Sequence, residues 1–439
     1  VTVDTYGTYT FTWTENNNGC TASANTSVTF EQLPVADAGV GSDQCDLDFT
    51  FAAVPSIGNG LWTAVGPGIA TFTAANSATS TVTVSNYGTY VFTWTETNGN
   101  CVSVDQLTIN FYQQPVANAG DGGDVCDLDY DFNGTASVGV GVWTYTGPGT
   151  ATFDDDSDPA TSVTVSVYGA YNFTWTETNG TCFNSESVLV NFFDQPVANA
   201  GIGGDACDLD FSLTGVASVG VGLWTASGPG TATFDDDLSA ATDVTVSTYG
   251  TYTFTWTEIS GVCIDAASVT VNFYEQPVGD AGTAIDECDL NALLSANTSV
   301  GIGAWSQTGG SGTASFNNPA SPTSLVTVDA YDTYEFTWTE TNGSCTDAAT
   351  VSVSFFEQPV ANAGAGGQEC DLDFDLAAVV SVGTGLWTAS GPGTAIYSDD
   401  TDANATATVS LPGVYTFTWT ETNGSCSDDA TVQVSFFDQ

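Results

Sequence analysis

From Thr89 to Thr95 large aromatic side chains occupy alternate positions, Tyr90, Phe92 and Trp94, with the smaller Val91, Thr93 and Thr95 between them or beside them. A period of two is that of a β-strand with one buried and one wet face. Around this segment, in residues 34–114, "PVADAG" predicts a short first strand, "DFTFAAV" a second and "GLWTAV" a third that carries Trp62. "GPG" then turns the chain, "TSTVTVS" and "TYVFTWTET" are further strands, and "CVSVDQLTINF" is the last. The Asn-Gly of "TNGN" predicts a tight hairpin with both central residues at positive φ. No segment carries the i, i+3, i+4 pattern and caps of a helix. About seven short strands with a Trp in the third predict an immunoglobulin-like sandwich. "YGTY" (Tyr87 to Tyr90, with relatives at Tyr6, Tyr168, Tyr249 and Tyr331) sits where that fold places a tyrosine corner, ordinary strand-end aromatics being the alternative.

The pattern recurs. Cys20, Cys101, Cys182 and Cys263 are 81 residues apart, with Cys345 and Cys426 following at nearly the same step, and Cys45, Cys126, Cys207, Cys288 and Cys370 form a second series. Pro34, Pro115, Pro196, Pro277 and Pro359 open the units, mostly as "QPVANAG". A fixed period of this kind marks a tandem array. The expected map is a partial repeat at 1–33, then full repeats at 34–114, 115–195, 196–276, 277–358 and 359–439. One extra residue in the fourth full repeat falls between Trp305 and Phe316, which predicts a surface loop there.

Charge changes the list of possible partners. The chain has 52 carboxylates and no Lys, Arg, His or Met, for a formal charge of -52. Disorder is excluded because 42% of the residues are apolar, with 11 Trp, 16 Tyr and 25 Phe available for burial. Nucleic acid and anionic membrane surfaces both require cations on the protein, so neither is a partner, and no stretch is apolar enough for direct membrane insertion. The sequence opens directly on a strand pattern with no initiator Met or signal peptide, and is expected to be a window from a longer exported polypeptide.

Eleven in-register cysteines without a histidine do not have zinc spacing and predict disulfides. The favoured pairing lies within each repeat, Cys45–Cys101, Cys126–Cys182, Cys207–Cys263, Cys288–Cys345 and Cys370–Cys426, because it makes each sandwich self-contained. Pairing across the boundary, Cys20 to Cys45 and its equivalents, is the alternative. Loop-closure entropies of about 4 and 3.5 kcal/mol do not separate the two.

Carboxylates recur as "CDLD" (Asp46 and Asp48, Asp127 and Asp129, Asp208 and Asp210, Asp371 and Asp373) and as "FDDD" (Asp154, Asp155 and Asp156; Asp235, Asp236 and Asp237). Hard oxygens on loops are what Ca²⁺ takes, so these are its candidate ligands, with a solvated acidic loop as the alternative. "FDDD" has no faithful counterpart at Phe72, Phe316 or Tyr397, whereas "CDLD" degrades only to "CDLN" after Cys288. No cofactor other than Ca²⁺ is suggested. Enzymatic function is not expected: without His, Lys or Arg there is no usual base for Ser or Cys and no cationic oxyanion stabiliser. The glycine clusters lack the strand-to-helix context and lysine of a phosphate loop. Sequons such as Asn133, Asn179 and Asn342 are in part simply the hairpin itself.

The unit "PVANAG…CDLDF…GLWTASGPGTATF…VTVSTYGTYTFTWTETNGSC…VTVNFYEQP" resembles, over the whole chain, the repeats of giant surface adhesins of gliding Bacteroidota, and more loosely PKD-like domains of secreted proteins. The resemblance implies an all-β tandem array of immunoglobulin-like (PKD-like) sandwiches of about 81 residues, exported by a type IX system to the extracellular cell surface. It further implies a filament used in gliding or attachment, with surface polysaccharide or another substratum as partner of the parent protein and neighbouring repeats as internal partners. Units of about 35–40 Å predict a rod of roughly 200 Å, kept extended by its charge and by short Pro-containing links. A structural stalk is thus the leading expectation. A carbohydrate-binding array, which requires exposed Trp or Tyr in rows, and a Ca²⁺-rigidified rod are the alternatives; Trp62, Trp94 and their equivalents are expected to be buried.

Overall fold

The computed structural model describes residues 1–438, and every regular element among them is a β-strand. By packing the chain forms two compact units, one of Val1–Pro196 with Ile259–Asp265, the other of Val197–Glu258 with the chain from Ala266 on. The first holds a lone hairpin, Gly7–Asn17 with Cys20–Phe30, two complete sandwiches and the hairpin tip of a third. The second holds the rest of the third sandwich and two more.

The sandwich at 115–195 serves as the pattern. Its strands are β1 (Gly123–Val125), β2 (Asp129–Asp131), β3 (Val140–Thr146), β4 (Ala151–Phe153), β5 (Ser162–Val165), β6 (Gly169–Asn179) and β7 (Cys182–Phe192). One sheet has the order β3-β6-β7-β1 and the other β2-β5-β4. All neighbours are antiparallel except β1, which runs parallel to β7 with Val125 opposite Phe192. The segment before β1 makes one isolated antiparallel bridge, Asn118 to Thr135, with the loop that follows β2. A four-stranded and a three-stranded sheet with crossovers between them are the immunoglobulin-like arrangement. Five hydrophobic cores follow one another along the chain, at Ala38–Phe111, Ala117–Phe192, Ala200–Phe273, Ala281–Phe355 and Ala363–Phe436.

The alternation in β6 does what its period requires. Tyr171, Phe173 and Trp175 are buried, as are Trp62, Trp94 and seven further tryptophans in equivalent positions; Trp13 in the lone hairpin is the exposed one. Phe132 stacks on Trp143 at 4.2 Å, and Trp143 lies directly across the β3–β6 pair from Trp175, with centroids 5.4 Å apart. The Trp175 indole lies over Gly141, where an added Cβ would fall 1.9 Å from a ring carbon. Gly60, Gly222, Gly303 and Gly385 meet their own tryptophans equally closely. The third strand therefore reads Gly-x-Trp because one indole needs the space and the other fills the sheet.

The tyrosine corner is made by the second tyrosine of each motif. Tyr171 Oη donates to the Val167 carbonyl at 3.1 Å, and Tyr90, Tyr252, Tyr334 and Tyr415 repeat the bond four residues upstream. Tyr87, Tyr168, Tyr249 and Tyr331 stay partly exposed. The extra residue of the fourth full repeat is absorbed inside a strand, where the register slips between Gln307 and Gly309. This strand is a sheet edge, where a bulge is tolerated, so the insertion needs no longer loop.

Gly141→Ala is expected to destabilise its sandwich by about 1–3 kcal/mol, the usual range for overpacking a filled core. Urea unfolding followed by Trp fluorescence measures this, and an unchanged midpoint would refute the assigned role of the glycine.

Candidate functional site, the stapled junction between repeats

The hairpin β6–β7 ends at one pole of the sandwich and β1 lies at the other. Cys126 directly follows β1, beside the far end of β7, while Cys182 begins β7. Ten residues of strand, roughly 33 Å, lie between those ends. A disulfide needs Cα atoms within about 7 Å, so Cys126 and Cys182 cannot bridge. The bridges are instead Cys45–Cys182, Cys126–Cys263, Cys207–Cys345 and Cys288–Cys426, all with Cα atoms 5.5 Å apart. Each joins the first cysteine of one repeat to the second cysteine of the next. This corrects the expected Cys45–Cys101, Cys126–Cys182, Cys207–Cys263, Cys288–Cys345 and Cys370–Cys426 pairs. The boundary alternative, Cys20 to Cys45, does not form either: Cys20, Cys101 and Cys370 are free thiols.

The hairpin tip that carries each staple has a specific shape. Asn179 pairs with Cys182, leaving Gly180 and Thr181 as the central residues, and only Gly180 has positive φ, at 64°. The turn is thus one with glycine at its first central position, not the expected Asn-Gly pair with both residues at positive φ. Only the lone hairpin, with Asn18 at 47° and Gly19 at 96°, makes the expected turn. The asparagine freed by this shift has another use: Asn179 Nδ2 donates to the carbonyl of Gln113 in the link before the repeat, at 2.9 Å. Asn98, Asn342 and Asn423 do the same with Gln32, Glu275 and Glu357. Gln114 Nε2 donates to Phe183 O at 2.7 Å, and the Tyr112 ring lies against Gly180, 2.3 Å from where a Cβ would be. Phe193, Tyr274 and Phe356 cover Gly261, Gly343 and Gly424 in the same way. Link and hairpin are held together before the staple reaches the preceding repeat.

Beneath the hairpin lies a buried carboxylate. Glu177 is 1% exposed, as are Glu96, Glu258 and Glu340, and Glu421 is fully enclosed. No cation exists to pair with any of them, so neutral donors must satisfy them. Ser137 N–H donates to Glu177 Oε1 at 2.9 Å, Trp175 Nε1 donates to the same oxygen at 3.0 Å, and the Ser137 hydroxyl donates to Oε2. That hydroxyl also accepts from Val116 N–H, the residue after the link proline, at 2.8 Å. The relay Val116–Ser137–Glu177–Trp175 therefore ties link, loop, hairpin base and core together. Ser56, Ser218, Ser299 and Ser381 repeat its link-to-carboxylate part. Burial pushes the Glu177 carboxyl up, but the Ser137 hydroxyl, the Trp175 indole and the loop N–H groups outweigh it and hold the group below the ordinary carboxylate range. The same balance applies at Glu96, Glu340 and Glu421. Sequence reading stopped one step short of this residue, since Glu177 continues the Tyr171, Phe173, Trp175 alternation.

The predicted Ca²⁺ ligands are occupied in local structure. Asp46, Asp127, Asp208 and Asp371 each accept the N–H two residues on, while Asp48, Asp129, Asp210 and Asp373 accept threonine hydroxyls from the facing strand at 2.5 Å. Asp155 accepts the Ser157 hydroxyl and N–H, which hold its exposed carboxyl low, and Asp236 accepts the Leu238 N–H. Asp156 and Asp237 supply main-chain carbonyls to Trp143 and Trp224, and the main-chain N–H groups of Asp154 and Asp235 donate to Ser162 and Asp243. Asp208, Asp210 and Asp235 share an open crevice with Asp205 and Asp243. Among the described residues no three acidic or cysteine side chains are arranged to hold a metal ion.

No family model matches the chain, and no curated protein is similar to it. Solved structures similar to it include the N-terminal eight immunoglobulin domains of Down syndrome cell adhesion molecule (12% identity, TM-score 0.35), where the alignment covers 100% of this chain and 64% of that one. Others are Sidekick-1 immunoglobulin domains 1–5 (12%, TM-score 0.26, 93% of this chain and 100% of that one) and the insect immune protein hemolin (12%, TM-score 0.25, 74% and 100%). The first two are arrays of immunoglobulin domains; the fold assignment here rests on the strand order itself.

Two outcomes are expected at the junction. Non-reducing peptide maps from an aromatic-specific protease should contain the Cys126–Cys263 crosslink and lack Cys126–Cys182; the reverse would refute the staple. Glu177→Gln should destabilise by about 2 kcal/mol at neutral pH, because an amide nitrogen then faces donors. The folded pKa lies below the unfolded one, so the stability Glu177 contributes is present above about pH 4.5 and lost as pH falls through the folded value. The wild-type advantage should therefore shrink between pH 7 and pH 3 in urea titrations, and a pH-independent difference would remove the carboxylate from the account.

Proposed function

We propose that this chain is a structural segment of a long extracellular adhesin, a stalk that extends a binding region of its parent protein from the cell surface and is not itself an enzyme. The observation that carries this reading is the set of four bridges between successive repeats. Such bridges persist in oxidising compartments outside the cytosol, and they couple modules to each other, which a set of independent binding domains would not require. The inward placement of ten tryptophans supports it, because stacking on sugars needs exposed rings. Gliding motility, type IX export and attachment to polysaccharide are the finer form of the reading and rest on the repeat resemblance. Calcium in this reading is a diffuse counter-ion of an acidic surface.

One feature favours the carbohydrate-binding alternative: Tyr87, Tyr168, Tyr249 and Tyr331 are exposed once in each of the first four full repeats, and Tyr87 lines a crevice with Tyr112, Asn110 and Asn179. A joint experiment separates these readings. Antibody to the chain should label intact cells that make the parent protein, and in-frame removal of two repeats should reduce attachment while export continues. The purified chain should show acrylamide quenching at the level of Trp13 alone. Saturable polysaccharide binding lost on changing the four tyrosines to alanine would replace the stalk with the sugar-binding array, and a rise in Tm with millimolar Ca²⁺ over EDTA would favour the ion-rigidified rod.

A further inference from the structure

The four bridges enclose residues 45–182, 126–263, 207–345 and 288–426, so each loop overlaps the next. We infer that these overlapping staples make the chain from Cys45 to Cys426 a covalently redundant tether, which a single backbone cut cannot sever and which tension cannot draw out to its full length. Every peptide bond between Cys45 and Cys426 lies inside at least one loop, and 126–182, 207–263 and 288–345 lie inside two. A cut at any one point leaves both sides joined through sulfur. Staples within each repeat, closing 45–101, 126–182 and so on, would leave every link exposed between loops. The skip to the next repeat is what covers the links.

The same connectivity limits stretching. Without bridges about 380 residues separate Cys45 from Cys426, which at about 3.4 Å per residue extend to roughly 1,300 Å. With them, two covalent routes of about 80 residues each connect the same ends. One runs from Cys45 to Cys182, back to Cys126, across to Cys263, on to Cys288 and across to Cys426. The other passes from Cys182 to Cys207, across to Cys345 and back to Cys288. Extension is thus capped at roughly 280 Å, about a fifth of the free length, even if every sandwich unfolds. Because the routes run in parallel, loss of either middle bridge leaves the other to carry tension. The inference takes its use from the stalk reading and its mechanics from the bridges alone, so either can fail without the other.

The absence of Lys and Arg allows a direct test, because one introduced arginine creates one trypsin site. Glu275→Arg places it in an exposed link enclosed only by the 207–345 loop; Glu31→Arg places it outside every loop. After trypsin, the Glu275→Arg chain should run as one species in denaturing gels without reductant and as two with it. The Glu31→Arg chain should separate in both. Adding Cys207→Ser and Cys345→Ser to Glu275→Arg should make it separate without reductant as well. Separation of the Glu275→Arg chain without reductant would overturn the inference. Pulling single molecules provides a second readout: reduced chains should lengthen in steps of roughly 240 Å per repeat, the span from Cys45 to Cys426 of oxidised chains should stop near a fifth of its unbridged length, and equal extension in both states would likewise overturn it.

Discussion

The length of one hairpin governs how these repeats are joined. Each arm of β6–β7 runs eleven residues, nearly the whole sandwich, and β1 is registered against the far end of β7. That register sends the two cysteines of a repeat to opposite poles, so each can find a partner only in an adjoining repeat. The aromatic link residue on the hairpin glycine, the asparagine bond to the link carbonyl and the serine–glutamate relay all act at the same pole. They fix the direction in which the hairpin tip points, which brings Sγ of Cys182 within bonding reach of Cys45. A strand shortened by two residues would keep the core residues in phase but withdraw the tip from the preceding repeat.

The buried glutamate shows how a chain without cations manages an enclosed charge. Desolvation disfavours the ionised form, and the usual remedy, an arginine or lysine, is absent from the sequence. Four neutral donors take its place, and their dipoles suffice to hold the carboxyl ionised. The third full repeat marks the boundary of this solution. There Glu258 keeps its bonds from Ser218, but Trp256 Nε1 finds no acceptor.

Strand identity, the buried aromatics and the repeat period were legible because period-two alternation is a local property of the chain. The bridges were not, since they depend on β1 running parallel to β7, a pairing that no short-range pattern encodes. An entropy argument cannot compensate: loop-closure terms for 56 and 137 residues differ by less than 1 kcal/mol, whereas the distance between poles is decisive. Glu177 is legible in principle, because it continues the alternation, but an acidic residue in an acidic chain invites a surface assignment. The turn at Gly180 was half legible: the glycine is marked by sequence, but its place in the turn depends on whether Asn179 pairs in the ladder.

Charge and covalent chemistry are linked in this design. Fifty-two carboxylates over five sandwiches and a hairpin give about ten per repeat, and with no positive side chain every interaction between neighbouring charged side chains is repulsive. At separations inside the Debye length of about 8 Å such pairs cost up to about 1 kcal/mol each in water, enough in sum to oppose docking of one repeat on the next. Ion pairs are not available to offset this, and the link contacts are a few hydrogen bonds and one ring per junction. A disulfide is indifferent to salt and charge, and closing a single loop of 137 residues is worth about 5 kcal/mol, though overlapping loops share part of that entropy. The staple therefore supplies the adhesion between repeats that the surface withholds, while repulsion discourages contact between separate chains. A polyanionic surface and covalent junctions are thus complementary solutions to keeping modules joined along one chain and apart between chains.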